Sequence, residues 1–198
     1  MSAIKLKIKE AVGEHDLGVS KFLGRPTLPE GLADKFDETV LFFLQINLEE
    51  IKDLDKENKL PHKGYLYFFL DTADSEYSLK PIVKYYDGIP TDVIDDFNSI
   101  VPEYEEYTKE YLIEFEECDD YDSGHKLLGK PNDWNYAEES DELLFQFDPL
   151  DSDMGIFSHL DGLIYFFFGK DRKSFKDVTI CEEISWLWLL LFKKESNY

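Results

Sequence analysis

Apolar positions recur with a period of two at two places in the chain. Near the start, Ile4, Leu6 and Ile8 are separated by Lys5 and Lys7; later, Tyr111, Ile113 and Phe115 are separated by Leu112 and Glu114. That period belongs to a strand with one buried face. Two further pairs of runs are denser. Phe42–Asn47 is matched by Leu143–Asp148, each with one internal glutamine, and Gly64–Phe69 is matched by Gly162–Phe167. They are too apolar for half-exposed strands and too short for helices, so they predict strands covered on both faces. Helical signals are sparse. Asn47 with Glu50 forms a capping box for a segment carrying Leu48, Ile51 and Leu54, and Thr91 caps another through Val93, Ile94 and Phe97.

These segments recur in the same order, joined by a loop signature. Ser20-Lys21-Phe22-Leu23-Gly24-Arg25-Pro26 returns as His125-Lys126-Leu127-Leu128-Gly129-Lys130-Pro131. The spacing shrinks from 107 residues between Ile4 and Tyr111 to 98 between Gly64 and Gly162. Such order with slow drift predicts a tandem duplication over residues 1–90 and 105–182. The expected fold is α+β, mostly β, with two pseudo-equivalent halves sharing one core. One domain covers residues 1–183. The aromatic tail at 184–198, with Trp186 and Trp188 among leucines, either packs as a final amphipathic helix or serves self-association.

Composition narrows the picture. The chain has 198 residues, and its 16 Phe, 12 Tyr and 3 Trp are too many for a disordered polymer despite a net charge of −22. Such a length can bury about 70% of the surface its unfolded form exposes. Negative charge works against nucleic acid and anionic membranes, and it favours a basic protein partner. The charge is concentrated. Between Asp92 and Asp122 there are 13 acidic residues and one base, Lys109. Tyrosines interleave with these acids, so Tyr104, Glu105, Glu106, Tyr107, Glu116, Glu117, Asp119 and Asp120 form a candidate partner-binding surface. Lys5, Lys7 and Lys9 on the first strand are opposite in sign to Glu114 and Glu116 on the matching one, which predicts that the two strands are neighbours.

Two cysteines without metal-ligand spacing, no apolar leader in Met1–Glu10 and no apolar run of roughly 18 to 20 residues together predict a soluble, cytoplasmic protein. Nucleotide loops, GxSxG and HExxH are missing, and Asp151–Gly155 departs from a calcium loop at its glycine and bidentate-acid positions. Catalytic residues, cofactor and metal are therefore assigned as none. Asp148, Asp151, Asp153, His159 and Asp161 make a solvated turn or a cation or acid/base site. Two readings of the loops stand side by side. They are strand-exit turns, or Lys21, Arg25, His125, Lys126 and Lys130 grip an anionic ligand. Gln45 and Gln146, polar within apolar strands, either tie the halves together or line a ligand cleft between them.

The runs Ser20–Pro26, Leu28-Pro29-Glu30, Leu41–Glu50, Leu60-Pro61 and Gly64–Phe69, with His125–Pro131 and Leu143–Asp148, resemble the YwqG-like family of bacterial proteins of unknown function. The resemblance runs from about residue 18 to 181. It implies an α+β fold with an internal duplication and carries no established reaction. A Trp-Gly-Asp-like turn of the family is replaced here by Gly155–Asp161. The expected function is a non-enzymatic, immunity-protein-like module that binds a basic protein through its acidic surface. The alternative is a small-molecule binder or enzyme with a cleft between the halves.

Overall fold

A computed structural model describes residues 3–71, 79–98, 105–132, 142–150, 154 and 162–182. Twelve strands run through them: β1 (Ala3–Glu10), β2 (Lys21–Phe22), β3 (Thr27–Leu28), β4 (Val40–Asn47), β5 (Tyr65–Asp71), β6 (Lys80–Tyr86), β7 (Asp92–Val93), β8 (Tyr111–Cys118), β9 (Lys126–Leu127), β10 (Leu143–Phe147), β11 (Ile164–Phe167) and β12 (Thr179–Glu182). Ten form one sheet in the order β12-β11-β10-β9-β1-β8-β2-β4-β5-β6, and β3 pairs with β7 beside it. Every ladder is antiparallel. The end strands approach each other. The Leu79 N–H beside β6 donates to the Glu182 carboxylate on β12 at 3.1 Å, and Tyr85 lies 6.1 Å from Phe175. The sheet is thus a nearly closed barrel.

This architecture corrects the α+β expectation. Among the described residues the helical elements are two 3-10 segments, Ala33–Lys35 and Glu105–Thr108, and the fold is nearly all β. Both predicted helix starts found other partners. Asn47 Oδ1 accepts the Glu49 N–H in a local turn, while Glu50 turns away to accept the Ser20 N–H at 3.3 Å. Residues 48–54 consequently form successive turns, not a helix. The Thr91 N–H goes to the Leu28 carbonyl, and Asp92–Val93 becomes β7 on β3. No helix among the described residues is long and apolar enough to cross a membrane.

The centre of the sheet is the β1/β8 ladder, in which Lys5 faces Glu116 and Lys7 faces Glu114. Lys7 Nζ also reaches Glu116 Oε2 at 2.6 Å. Beyond this ladder the strand order is symmetric. β8 continues into β2, β4, β5 and β6, and β1 continues into β9, β10, β11 and β12. The centre is crossed over, because β1 borders a strand from the later half of the chain and β8 one from the earlier half.

Inside the barrel, phenylalanines from both sides interdigitate. Phe43 lies 5.1 Å from Phe147 and 6.2 Å from Phe145 and Phe166, and Phe68 lies 5.5 Å from Phe145 and Phe166. This single cluster explains why β4 and β10 are buried along their inner faces. On the outer face, Leu28, Val40, Phe42, Tyr67 and Phe69 form a second cluster under Phe36 and Phe97. Phe43→Leu, which removes ring edges from several partners, should lower stability by about 1–2 kcal/mol through a small cavity. Denaturant unfolding checks it, and an unchanged midpoint would mean that the neighbours close the gap.

Candidate functional site

Both copies of the loop signature make the same turn. Leu23 and Gly24 have φ of 57° and 67°, and Leu128 and Gly129 have 61° and 78°. A leucine in the left-handed region costs roughly 1 kcal/mol. Complete burial of Leu23 and nearly complete burial of Leu128 offset that cost. The glycines also need their missing side chain. A Cβ on Gly24 would meet Glu110 Cγ at 2.1 Å, and one on Gly129 would meet Ala3 Cβ at 2.7 Å.

Because β2 alternates, Phe22 enters the core and Lys21 points to the outer face, where loops cover it completely. Its ammonium donates to Glu110 Oε1 at 3.0 Å. The same oxygen accepts the Arg25 backbone N–H at 3.1 Å, and Oε2 accepts from the Arg25 guanidinium at 3.3 Å. His15 Nε2 lies 3.1 Å from Oε2 without hydrogen-bond alignment. Burial opposes ionisation of Glu110, but the bonds from Lys21 and Arg25 outweigh it and hold the carboxyl below its ordinary range. Burial also pulls the Lys21 ammonium down, against its bond to Glu110. A fully buried ammonium and a largely buried carboxylate this close keep each other ionised. Beside them, Gln45 Oε1 accepts the Thr27 N–H at 2.9 Å, and its amide donates to the Leu17 and Val19 carbonyls at 3.1 and 2.9 Å.

The second loop repeats this arrangement without the carboxylate. Lys126, also fully buried, donates to the Asp120 and Asp122 carbonyls at 3.0 and 2.6 Å and to Asn132 Oδ1 at 2.7 Å. Burial lowers its pKa to about 8, which leaves it charged at neutral pH, with one acceptor for each of its three protons. Gln146 donates to the Gly124 carbonyl at 2.9 Å and accepts the Asn132 N–H at 3.3 Å. Ser20 and His125 correspond as well. Ser20 Oγ accepts the Asn47 N–H at 2.9 Å, and His125 Nδ1 accepts the Asp148 N–H at 3.1 Å. That bond puts the proton of a neutral ring on Nε2, which is buried without a hydrogen-bond partner. Burial, with the Lys5 charge adding to it, lowers the His125 pKa to about 4.

The proposed ligand-binding set is therefore divided. Lys21, Arg25 and Gln45 form one cluster, and His125, Lys126 and Gln146 the other, with Lys130 at its edge. Strands β8 and β1 lie between β2 and β9, so the clusters are about 14 Å apart across the sheet. Each amide ties loops within its own half. Glu110, His15 and Asn132 complete these clusters and were not singled out by sequence reading. Glu110 was one acid among thirteen, with no local signal to distinguish it.

The candidate partner surface also changes shape. Tyr107 is buried in the core cluster. Glu116 pairs with Lys7, and Glu117 takes Lys56 Nζ on both oxygens at 2.6 Å. Asp119 and Asp120 occupy the turn between β8 and β9, together with Asp122 and Tyr121, which is 60% exposed. Lys126 holds this turn from below through two carbonyls, and the Asp122 N–H donates to the Asp119 carbonyl at 3.0 Å. Tyr104, the side chains of Glu105 and Glu106, Asp151, Asp153, His159, Asp161 and the tail at 184–198 lie outside the described residues. Among the described residues no three His, Cys, Asp or Glu side chains are grouped to hold a metal.

Residues 20–88 match the family model described as Domain of unknown function (DUF1963). The DUF1963 segment holds β2 to β6, hence the first loop, Lys21, Arg25 and Gln45, whereas Glu110 and the whole second cluster lie beyond it. A search of curated proteins found no match to this chain.

Proposed function

We propose that this protein is a non-enzymatic binding module for a basic protein, in the manner of an immunity protein, and that the acidic turn between β8 and β9 makes the contact. The observation that carries this reading is Tyr121, more than half exposed among Asp119, Asp120 and Asp122 on a turn braced by a buried ammonium. A braced turn loses little conformational entropy when it docks, exposed tyrosines are frequent interface anchors, and the carboxylates speed encounter with a cationic surface. The DUF1963 match overlaps the runs Ser20–Pro26, Leu41–Glu50 and Gly64–Phe69, which supports placing the chain among YwqG-like proteins. The thiols of Cys118 and Cys181 agree with a reducing, cytoplasmic setting.

Titration with an arginine-rich peptide and with polylysine tests the reading. Binding should weaken steeply from low to physiological salt, and Tyr121→Ala should weaken it by about tenfold without moving the melting temperature. Capture from native lysate by wild type and by Tyr121→Ala should differ in the basic species retained. If neither cationic probe binds, or if Tyr121→Ala and Asp119→Asn bind both like wild type, the turn is not the contact.

A further inference from the structure

Among the described residues, β1 makes its ladders with the later half of the chain and with no strand of its own half. It pairs along its whole length with β8, from Ala3 opposite Cys118 to Glu10 opposite Tyr111, and Ile4 and Lys5 pair with β9 on the other side. Beyond these ladders the Leu6 N–H donates to the His125 carbonyl at 2.9 Å, and the Ala11 N–H to the Glu110 carbonyl at 2.8 Å. The inward side chains Ile4 and Leu6 are buried in the core that both halves share. What joins β1 to its own half is the connection to β2, residues 11–20. The first part of that connection is open to solvent. Val12 is 90% exposed, and a Cβ on Gly13 would meet nothing within 4 Å. Gly13 has a φ of 80°, and glycine takes positive and negative φ about equally, so the chain straightens here without strain.

Charge decides which strand β1 fits. In the ladder Lys5 faces Glu116 and Lys7 faces Glu114. Two β1 strands paired with each other about the same centre would set Lys7 against Lys7 and Lys5 against Lys9. Like charges directly opposite weaken a ladder, so β1 selects β8 over another β1. A second copy of the chain supplies a β8 strand. We infer that β1 is exchangeable between two copies of this chain, in a symmetric dimer where each β1 lies between β8 and β9 of the other copy. Every bond that β1 makes within one chain is remade between the two, and the path of residues 11–20 is what differs. Because β1 leaves the centre of the sheet only when the sheet opens, the dimer forms on folding at high protein concentration and then interconverts slowly.

Cys118 stands opposite Ala3, so a thiol introduced at that position reports which copy's β8 it faces. One full-length chain carries Ala3→Cys with Cys118→Ser, a second keeps Ala3 and Cys118, and both carry Cys181→Ser. Unfolded together, refolded at high concentration and oxidised, they should give a covalent dimer with one chain of each kind. The same chains refolded apart and mixed before oxidation should not. Ala3→Cys in a chain that keeps Cys118, folded dilute, should close its disulfide within a monomer, which shows that the buried position accepts a thiol. A second pair needs no cysteine. Lys5→Glu with Lys7→Glu in one chain, and Glu114→Lys with Glu116→Lys in the other, set like charges within each chain and opposite charges between them. Refolded together they should give a dimer of twice the chain mass by light scattering, in larger yield than either alone. A mixed disulfide or a charge-paired dimer supports the exchange. Monomers alone from both pairs overturn it, and so do dimers that form equally well from chains folded separately, since a surface contact needs no exchange.

Discussion

Glu110→Ala should lower the unfolding free energy by about 3–5 kcal/mol, the range for removing one member of a buried ion pair. The substitution strands the Lys21 ammonium, which is fully buried and donates to Glu110 Oε1. It also removes the acceptor for the Arg25 backbone N–H and one contact of its guanidinium. Against a total of about 5–15 kcal/mol for a protein of this kind, that is a large fraction. Glu110→Gln, which keeps an oxygen acceptor without the charge, should cost less. Combining Glu110→Leu with Lys21→Met should recover much of the loss, since a buried pair replaced by apolar groups is often near neutral. Denaturant titration of the series reads this out. A Glu110→Ala loss below about 1 kcal/mol would show that water reaches Lys21 and that the pair behaves as an exposed one.

The second large effect is an acid instability centred on His125. Its pKa falls from the ordinary 6.5 to about 4 in the folded protein, so the unfolded chain binds the proton more readily. The stability this contributes is complete above about pH 6.5 and is lost as the pH falls through 4, amounting to about 3 kcal/mol. Geometry points the same way. A second ring proton would turn Nδ1 into a donor facing the Asp148 N–H, with the ring stacked 4.7 Å from Phe147. His125→Asn keeps an acceptor for that N–H and cannot titrate. Between pH 6.5 and 4 wild type should lose stability faster than His125→Asn, and parallel curves would remove His125 as the cause. Glu110 adds its own acid sensitivity below this window, because its folded pKa lies beneath the ordinary carboxylate range.

Both effects arise from residues whose importance differs in how far the sequence announces it. Lys21, Lys126, Gln45 and Gln146 stand out as polar positions in otherwise apolar, recurring segments, and all four are fully buried and hydrogen-bonded. Their partners are less visible. Glu110 lies 89 residues from Lys21, and no local pattern connects the two. The same limit explains the predicted helices. Asn47 and Glu50 have the spacing of a capping box, but Glu50 is drawn to Ser20, 30 residues earlier. The alternative readings of the glutamines were separated by placement. Each faces its own loop, because one strand position in two points away from the shared phenylalanine core.

Strand periodicity, the Leu-Gly turns and the alternating charge within β1 and within β8 are local properties, and they can be read along the chain because they depend on neighbours one to four residues apart. The crossed-over sheet order, the near closure of β6 on β12 and the choice of Glu110 for Lys21, with backbone carbonyls for Lys126, are not local. They follow from packing two sets of phenylalanines into one interior, which brings distant loops over each buried lysine and leaves it to pair with whatever acceptor arrives there.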